Sequence, residues 1–221
     1  MLVAAGRGGP RLQEVRDLAR RRRVEVVSLG EAELAGRLGA PRSVHNGFAA
    51  ELASGAASPG APAGAGGRDE GLVVLVEDVQ DPRNLGALVR VCEAAGAGRL
   101  LVRDRGSAPL SAAAVKTAAG ASEWLPVERI VNSAQAIEEL KAAGFWVYGV
   151  APGGDVAWDV DLTGRVALCF GGEEKGLRRR TESLCDRLVG LPMRGRVESL
   201  NLATAAAAVL FEAVRQRRAA G

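Results

Sequence analysis

Residues 191–218, LPMRGRVESLNLATAAAAVLFEAVRQRR, pass from a short apolar strand through a basic turn into one long helix without a gap. Leu200, Ala203, Ala207, Leu210, Phe211 and Val214 recur at helical spacing, which predicts an amphipathic α-helix with that face turned inward. Ser199 and Asn201 stand at its entrance as candidate N-caps. Backbone N–H groups at a helix start favour anionic or polar ligand atoms. Taken alone, the stretch is equally consistent with an ordinary capped helix beside two solvated arginines, Arg194 and Arg196.

Upstream of this helix, strands and helices alternate from Leu72 onward. LVVLVED (72–78), RLLVRD (99–104), EWLPVERIV (123–131), FWVYGVA (145–151), RVALCFG (165–171) and LVGLPM (188–193) are strand-like. Helical character follows Asn84, Pro109, Ser133, Gly176 and Ser199. Continuous apolar runs separated by helices predict an α/β fold with a parallel sheet covered by helices on both faces. In such sheets ligands bind in the loops beyond the carboxyl ends of the strands.

The N-terminal part reads differently. A strand-like LVAA, a helix through Leu12, Val15, Leu18 and Ala19, the run VEVVSL, a second helix EAELAGRL and a final strand in SVHNGFAAEL make a small α/β unit. Residues 53–71 are almost wholly Gly, Ala, Pro and Ser, with nothing to bury, and predict a flexible linker. The expected organisation is therefore a small domain over 1–52, a linker over 53–71 and a large domain over 72–221. The first domain is near the lower size limit for independent stability.

Composition narrows the function classes. No apolar run approaches the roughly 20 residues of a membrane span, and the N-terminus lacks the order of a signal peptide, so a cytoplasmic protein without membrane contact is expected. Cys92, Cys169 and Cys185 show no metal-like spacing, which argues for reduced core thiols and against both a disulfide framework and a metal site. The formal net charge is only +3, but arginines bunch at 20–23, 103 and 105, 178–180, 194 and 196, and 215–218. Such clustering suits a polyanionic partner, although the last cluster also fits simple complementation of a helix dipole.

Three loops carry candidate chemistry. In EDVQDPRNLGALVR (77–90), Pro82 and Asn84 are expected to make the turn, Gly86 to permit close backbone approach, and Arg90 to lie one to two turns into the helix. In FGGEEKGLRRR (170–180), Gly171 and Gly172 let backbone approach a ligand and Glu173 begins the descent into a helix. This is no phosphate-binding P-loop, because Gly176 is followed by Leu177 and Arg178 rather than Lys and Ser or Thr. Nor does it sit where a dinucleotide fingerprint would. The third loop is the entrance at 191–201.

Together the three loops resemble the SPOUT superfamily, in its SpoU/TrmH branch of RNA 2′-O-ribose methyltransferases. The branch's Asn-x-Gly-Ala-x-x-Arg pattern is met by Asn84, Gly86, Ala87 and Arg90. Its Gly-x-Glu-x-x-Gly-Leu pattern is met by Gly171, Glu173, Gly176 and Leu177. Its Pro followed by Ser-Leu-Asn is met by Pro192, Ser199, Leu200 and Asn201. The likeness runs from about Leu2 to the C-terminus and is greatest to the RlmB type of 23S ribosomal RNA guanosine methyltransferase, whose small first domain recruits RNA. Two departures stand out. Members of this type begin with a further helix, which puts the completeness of the first domain in question. Ala203 also stands where a hydroxyl residue is common.

The resemblance implies a C-terminal deep trefoil knot and a homodimer formed through the knot helices. It implies S-adenosylmethionine bent in the knot against Gly171, Gly172, Leu191 and Leu200, with no metal needed. The resemblance casts the arginine of the first motif, here Arg90, as the residue that acts at the 2′-hydroxyl. Since arginine is effectively always protonated, positioning of phosphate and hydroxyl is favoured over a base role. By the same resemblance Asn84 and Asn201 orient backbone and substrate, Ser199 donates near the ribose, and Glu173 holds the loop or the arginine. His45 is expected to be an RNA contact or a structural residue. Two other functions stay open: a SPOUT enzyme acting on tRNA or a base nitrogen, and a non-catalytic RNA-binding or ribosome-assembly protein.

Overall fold

The computed structural model describes residues 1–6, 8–38, 48–50 and 69–220. His45, Asn46, Gly47 and positions 53–68 of the expected linker lie outside the described residues. The chain divides into two compact units, Met1–Ala57 and Ser58–Gly221.

In the first unit β1 (Leu2–Ala4) lies between β2 (Val27–Leu29), to which it is parallel, and β3 (Phe48–Ala49), to which it is antiparallel. Helix α1 (Pro10–Arg21) opens on Pro10, whose missing N–H costs nothing in a first turn. Helix α2 (Glu31–Leu38) follows β2 directly. Leu2, Ala4, Leu29 and Leu34 form a small core. Along α1, Leu12 and Ala19 are buried, whereas Leu18, expected inward, faces solvent.

The second unit begins with β4 (Asp69–Val76), so 69–71 belong to a strand and not to a linker. Then come α3 (Pro82–Ala94), β5 (Ala97–Arg103), α4 (Ala112–Ala118), β6 (Val127–Ile130), α5 (Ser133–Ala142), β7 (Trp146–Val156), β8 (Val166–Phe170), α6 (Arg179–Leu184), β9 (Arg187–Gly190) and α7 (Leu202–Ala220). The six strands are all parallel, in the order β6-β5-β4-β8-β7-β9. Strand β4 shows why its sequence is apolar throughout. Leu72, Val74 and Val76 pack with α3, α4 and α7, while Val73 and Leu75 meet α5 and the end of α6 on the other face. Both faces are covered, so neither needs polar residues.

Several local expectations shift. Asn84 is not a turn residue: Asp81 caps α3, accepting the Arg83 N–H at 2.8 Å, with Pro82 at the first helical position. Asn84 therefore lies inside the first turn. Gly86 does allow a close approach, by helix α4, since a Cβ there would stand 2.2 Å from the Ala114 carbonyl oxygen. The strand expected at 123–131 shortens to β6, because Pro126 cannot donate to a ladder and a single 3-10 turn occupies Ala121–Glu123. The last helix starts at Leu202 with Asn201 as its cap, accepting N–H bonds from Ala203 at 3.0 Å and Thr204 at 3.4 Å. Its buried face is Leu202, Ala203, Ala206, Val209, Leu210 and Ala213. Leu200 and Phe211, both assigned inward from spacing, are 41% and 48% exposed.

Candidate functional site

The carboxyl ends of β8 and β9, the middle of β7 and the start of α7 line a cavity of about 290 Å³. Its apolar walls are Val150, Phe170, Leu191, Met193, Leu200, Leu202 and Ala205. Gly171, Gly172, Glu173, Glu174, Glu198 and Ser199 contribute backbone and polar groups. The cavity thus collects Gly171, Gly172, Glu173, Leu191, Ser199 and Leu200 of the residues singled out from sequence. Sequence reasoning missed Val150, Pro152, Phe170, Met193 and Glu198. The signal available for Phe170 and Met193 was their place at the ends of apolar strands; Glu198 had only its place beside Ser199.

Three polar side chains from three distant segments meet beside this cavity. Asn201 donates through Nδ2 to Oδ1 of Asn84 at 3.0 Å, and Asn84 donates through Nδ2 to Oε1 of Glu173 at 2.6 Å. The direction of the chain is forced. Asn201 Oδ1 is spent on the α7 cap, so its NH₂ must face Asn84, whose own NH₂ then faces the carboxylate. Bonds aligned in this way polarise one another, and the carboxylate also lies at the N-terminal end of α3, where the helix dipole favours negative charge. Each amide retains one N–H with no partner among the described residues.

Glu173 does not begin a helix. It sits on a tight hairpin closed by Gly172 N–H to Gly176 O at 3.1 Å and Gly176 N–H to Gly172 O at 3.0 Å. The glycines are required by the chain itself. A Cβ on Gly171 would lie 1.9 Å from the Gly176 carbonyl carbon, and one on Gly172 would lie 2.9 Å from the Asp78 Cβ.

Arg90 is not brought to this cluster. It is exposed on α3, does not line the cavity, and has no hydrogen bond or ion pair among the described residues. Six residues beyond Asn84 it stands about 9 Å along the helix axis and about a third of a turn round. Other arginines prove to be structural. Arg103 and Arg178 both bind Asp78, and Arg217 donates to the carbonyls of Leu162 at 3.1 Å and Gly164 at 2.7 Å. Arg217 is therefore an internal clasp that ties α7 to the stretch ahead of β8.

The sequence pattern of the SpoU rRNA Methylase family matches residues 71–211. This chain belongs to the SpoU rRNA methylase family. Among curated members, it is 40% identical to the 23S rRNA (guanosine-2′-O-)-methyltransferase RlmB of Xanthomonas axonopodis pv. citri, over 98% of this chain and 88% of that one. It is 39% identical to the RlmB of Pseudomonas syringae pv. tomato, over 98% of this chain and 87% of the relative. Among solved structures, the SpoU methyltransferase AviRb from Streptomyces viridochromogenes, in complex with AdoMet, superposes with a TM-score of 0.77. The two are 26% identical, and the match covers 100% of this chain and 83% of AviRb. The A. aeolicus TrmH/SpoU tRNA modifying enzyme gives a TM-score of 0.64 at 28% identity, over 70% of this chain and 79% of its own.

The SpoU cavity of this chain fits S-adenosylmethionine by the chemistry of its lining. Leu191, Leu200, Leu202 and Phe170 offer apolar walls for a flat heteroaromatic ring, and Glu173, Glu174 and Glu198 offer negative charge for a cationic sulfonium and acceptors for ribose hydroxyls. Its volume, about 290 Å³, lies just below the about 300–1,000 Å³ of small-molecule clefts.

Proposed function

We propose that this chain methylates the 2′-hydroxyl of a guanosine ribose in 23S ribosomal RNA, with S-adenosylmethionine as methyl donor. The observation that carries the reading is the Asn201–Asn84–Glu173 chain beside an apolar cavity, in a sequence that is 40% identical to RlmB enzymes across 98% of its length. The donor supplies an electrophilic methyl group on a sulfonium. The demands left to the protein are to align the ribose hydroxyl in line with that methyl and to let its proton go.

Ser199 and the spare N–H groups of Asn84 and Asn201 orient the ribose, while Glu173 fixes the rotamer of Asn84. Arg90 meets a backbone phosphate beside the target, bringing the hydroxyl toward the cavity with its planar fork of donors. Gly171, Gly172, Leu191 and Leu200 hold the donor. A deep trefoil knot belongs to the same reading. It is supported by the tightness of the segment around β9: a Cβ on Gly154 would lie 2.7 Å from Val189 backbone, and one on Gly190 would lie 2.7 Å from the Ala151 carbonyl oxygen.

Residues 1–52 act as the RNA-recruiting domain, joined to the catalytic domain by 53–68. Two copies pair through the knot helices, a reading supported by the exposed apolar side chains of Val197 and Phe211. The enzyme works in the cytoplasm, where its ribosomal substrate is made. Mapping 2′-O-methyl groups in 23S RNA from cells with and without the protein tests the assignment. One guanosine should lose its ribose methyl when the protein is absent. A lost base methyl, or a lost methyl in tRNA alone, overturns it.

A further inference from the structure

At the carboxyl end of β4 two consecutive acids hold a loop from both sides. Asp78 adopts φ 50°, a left-handed conformation that is uncommon for residues with a side chain and that Asp and Asn reach more readily than most. Its carboxylate accepts from Arg103 at 2.9 Å and from Arg178 twice, through Nε at 2.9 Å and a terminal nitrogen at 3.1 Å. Its Cβ meanwhile stands so close to Gly172 that any side chain there would collide at 2.9 Å. Asp78 therefore touches the loop at 171–178 near its start and near its end.

Glu77 does the same one residue earlier. It is only 1% exposed, and its N–H donates to the Phe170 carbonyl at 3.0 Å, just ahead of the loop. Its carboxylate accepts the Arg178 backbone N–H at 3.3 Å, at the end of the loop, and the Thr181 hydroxyl at 2.9 Å, just after it. Helix α6 has no side-chain cap of its own at Arg178. Glu77, from another strand, binds that helix start through the N–H of Arg178 itself and the Thr181 side chain, with the charge sign that the helix N-terminus favours.

Between these two anchors lies the hairpin whose tip carries Glu173, the residue that receives the Asn84 N–H at 2.6 Å. We propose that Glu77 and Asp78 are positioning residues for methyl transfer, fixing the height of the 171–178 loop so that Glu173 meets Asn84. The inference rests on the methyltransferase reading above and extends it to residues that touch neither donor nor RNA. The geometry leaves little slack, because a displacement of about 1 Å lengthens the Glu173–Asn84 contact past the limit of a hydrogen bond. Asp78 is suited to the task in a way that one acceptor atom is not. Its two oxygens bind arginines from two segments, the end of β5 and the loop, and so cross-link both to β4.

The test combines kinetics with a structural readout. Asp78→Asn keeps side-chain size and tolerates the left-handed backbone, but loses the charge that binds the arginines. Arg178→Ala removes the loop's half of the clamp at a side chain that is already 50% exposed, so it keeps the alternative open should Asp78→Asn fail to fold. Single-turnover methyl transfer, at saturating S-adenosylmethionine and RNA, should fall about tenfold or more in each, comparably to Glu173→Ala. Combining either variant with Glu173→Ala should cause no further loss, since both then act through the same contact. Losses that multiply in the double variants mean that the pair acts elsewhere, and overturn the proposal.

Amide hydrogen exchange supplies the readout independent of activity. Residues 171–177 should exchange faster in Arg178→Ala than in the parent chain, with α3 unchanged. An inactive parent chain sinks the functional reading only, and the clamp is then judged by exchange. Unaltered protection of 171–177 overturns it.

Discussion

Asn84 donates through Nδ2 to Oε1 of Glu173 across 2.6 Å, a bond that ties the first turn of α3 to a hairpin 89 residues further along the chain. Asn84→Asp replaces that donor with an oxygen of like charge to its partner. An aspartate near a helix N-terminus is otherwise favourable, so the helix itself should not suffer. Methyl transfer should fall about 100-fold, the scale expected for misplacement of about 1 Å, with little change in melting temperature. Two carboxylates in contact raise the pKa of one of them, and a shared proton restores the hydrogen bond below that pKa. Activity of the variant relative to the parent should therefore improve as pH falls from 8 to 6. A pH-independent ratio, measured by single-turnover transfer, counts against the contact.

The meeting of Asn84, Glu173 and Asn201 was legible only in part. Their motif positions mark all three as site residues, but no spacing shows that they touch one another, because the contact depends on how three strand ends converge. The parallel sheet was plain from apolar runs such as LVVLV, since a strand buried on both faces has no polar side to confuse the pattern. The phase of α7 was not. Five of its first seven residues are alanines, which leave little contrast between faces: of the expected inward set Ala203 and Leu210 are buried, but Phe211 is half exposed and Ala206, Val209 and Ala213 carry the rest of the buried face. Asp78 escaped notice because an acid at the end of a strand reads as solvated, and its left-handed backbone has no signature in sequence.

The inward face that α7 does present makes a stability prediction. Leu210 is fully buried against the sheet, so Leu210→Ala should cost about 2–5 kcal/mol in denaturant unfolding, the usual range for a truncated core leucine. Phe211, half exposed, should behave differently. Phe211→Glu should leave the fold intact but shift the chain from dimer to monomer in sedimentation at micromolar concentration. A dimer unchanged by Phe211→Glu removes α7's outer face from the proposed interface.

The three thiols should separate by reactivity. Gly149 pairs with Cys169 across β7 and β8, and a Cβ on Gly149 would lie 3.0 Å from Cys185 Sγ, which places the two sulfurs side by side on one face of the sheet. The hydrogen bond from Cys169 holds the Cys185 thiol below its ordinary pKa, with Lys141 adding to the effect. The same bond, together with burial, holds Cys169 well above the ordinary value, and burial alone pushes Cys92 up. The thiolate is the reactive form, so alkylation at neutral pH should reach half-buried Cys185 first. Peptide mapping after brief iodoacetamide treatment measures the order, which denaturation should abolish. Equal labelling of Cys92 and Cys185 in the folded protein contradicts it.

Arg90 separates an enzyme from an inert binding protein. It makes no contact with the cavity and no bond within the chain among the described residues, so its removal should spare both the fold and the affinity for S-adenosylmethionine. Those two measurements serve as internal controls. If Arg90 aligns the target ribose through a phosphate, Arg90→Ala should lower methyl transfer by about 100-fold or more. Arg90→Lys should fail almost as badly, because a point charge cannot reproduce a planar fork of donors. Loss of a phosphate contact should also flatten the dependence of RNA affinity on salt by roughly one counterion. Single-turnover transfer of labelled methyl groups to ribosomal RNA, followed by digestion to nucleosides, reads both the rate and the position of the label. Near-parent rates in both variants remove Arg90 from the reaction, and rescue by lysine alone reduces its part to charge.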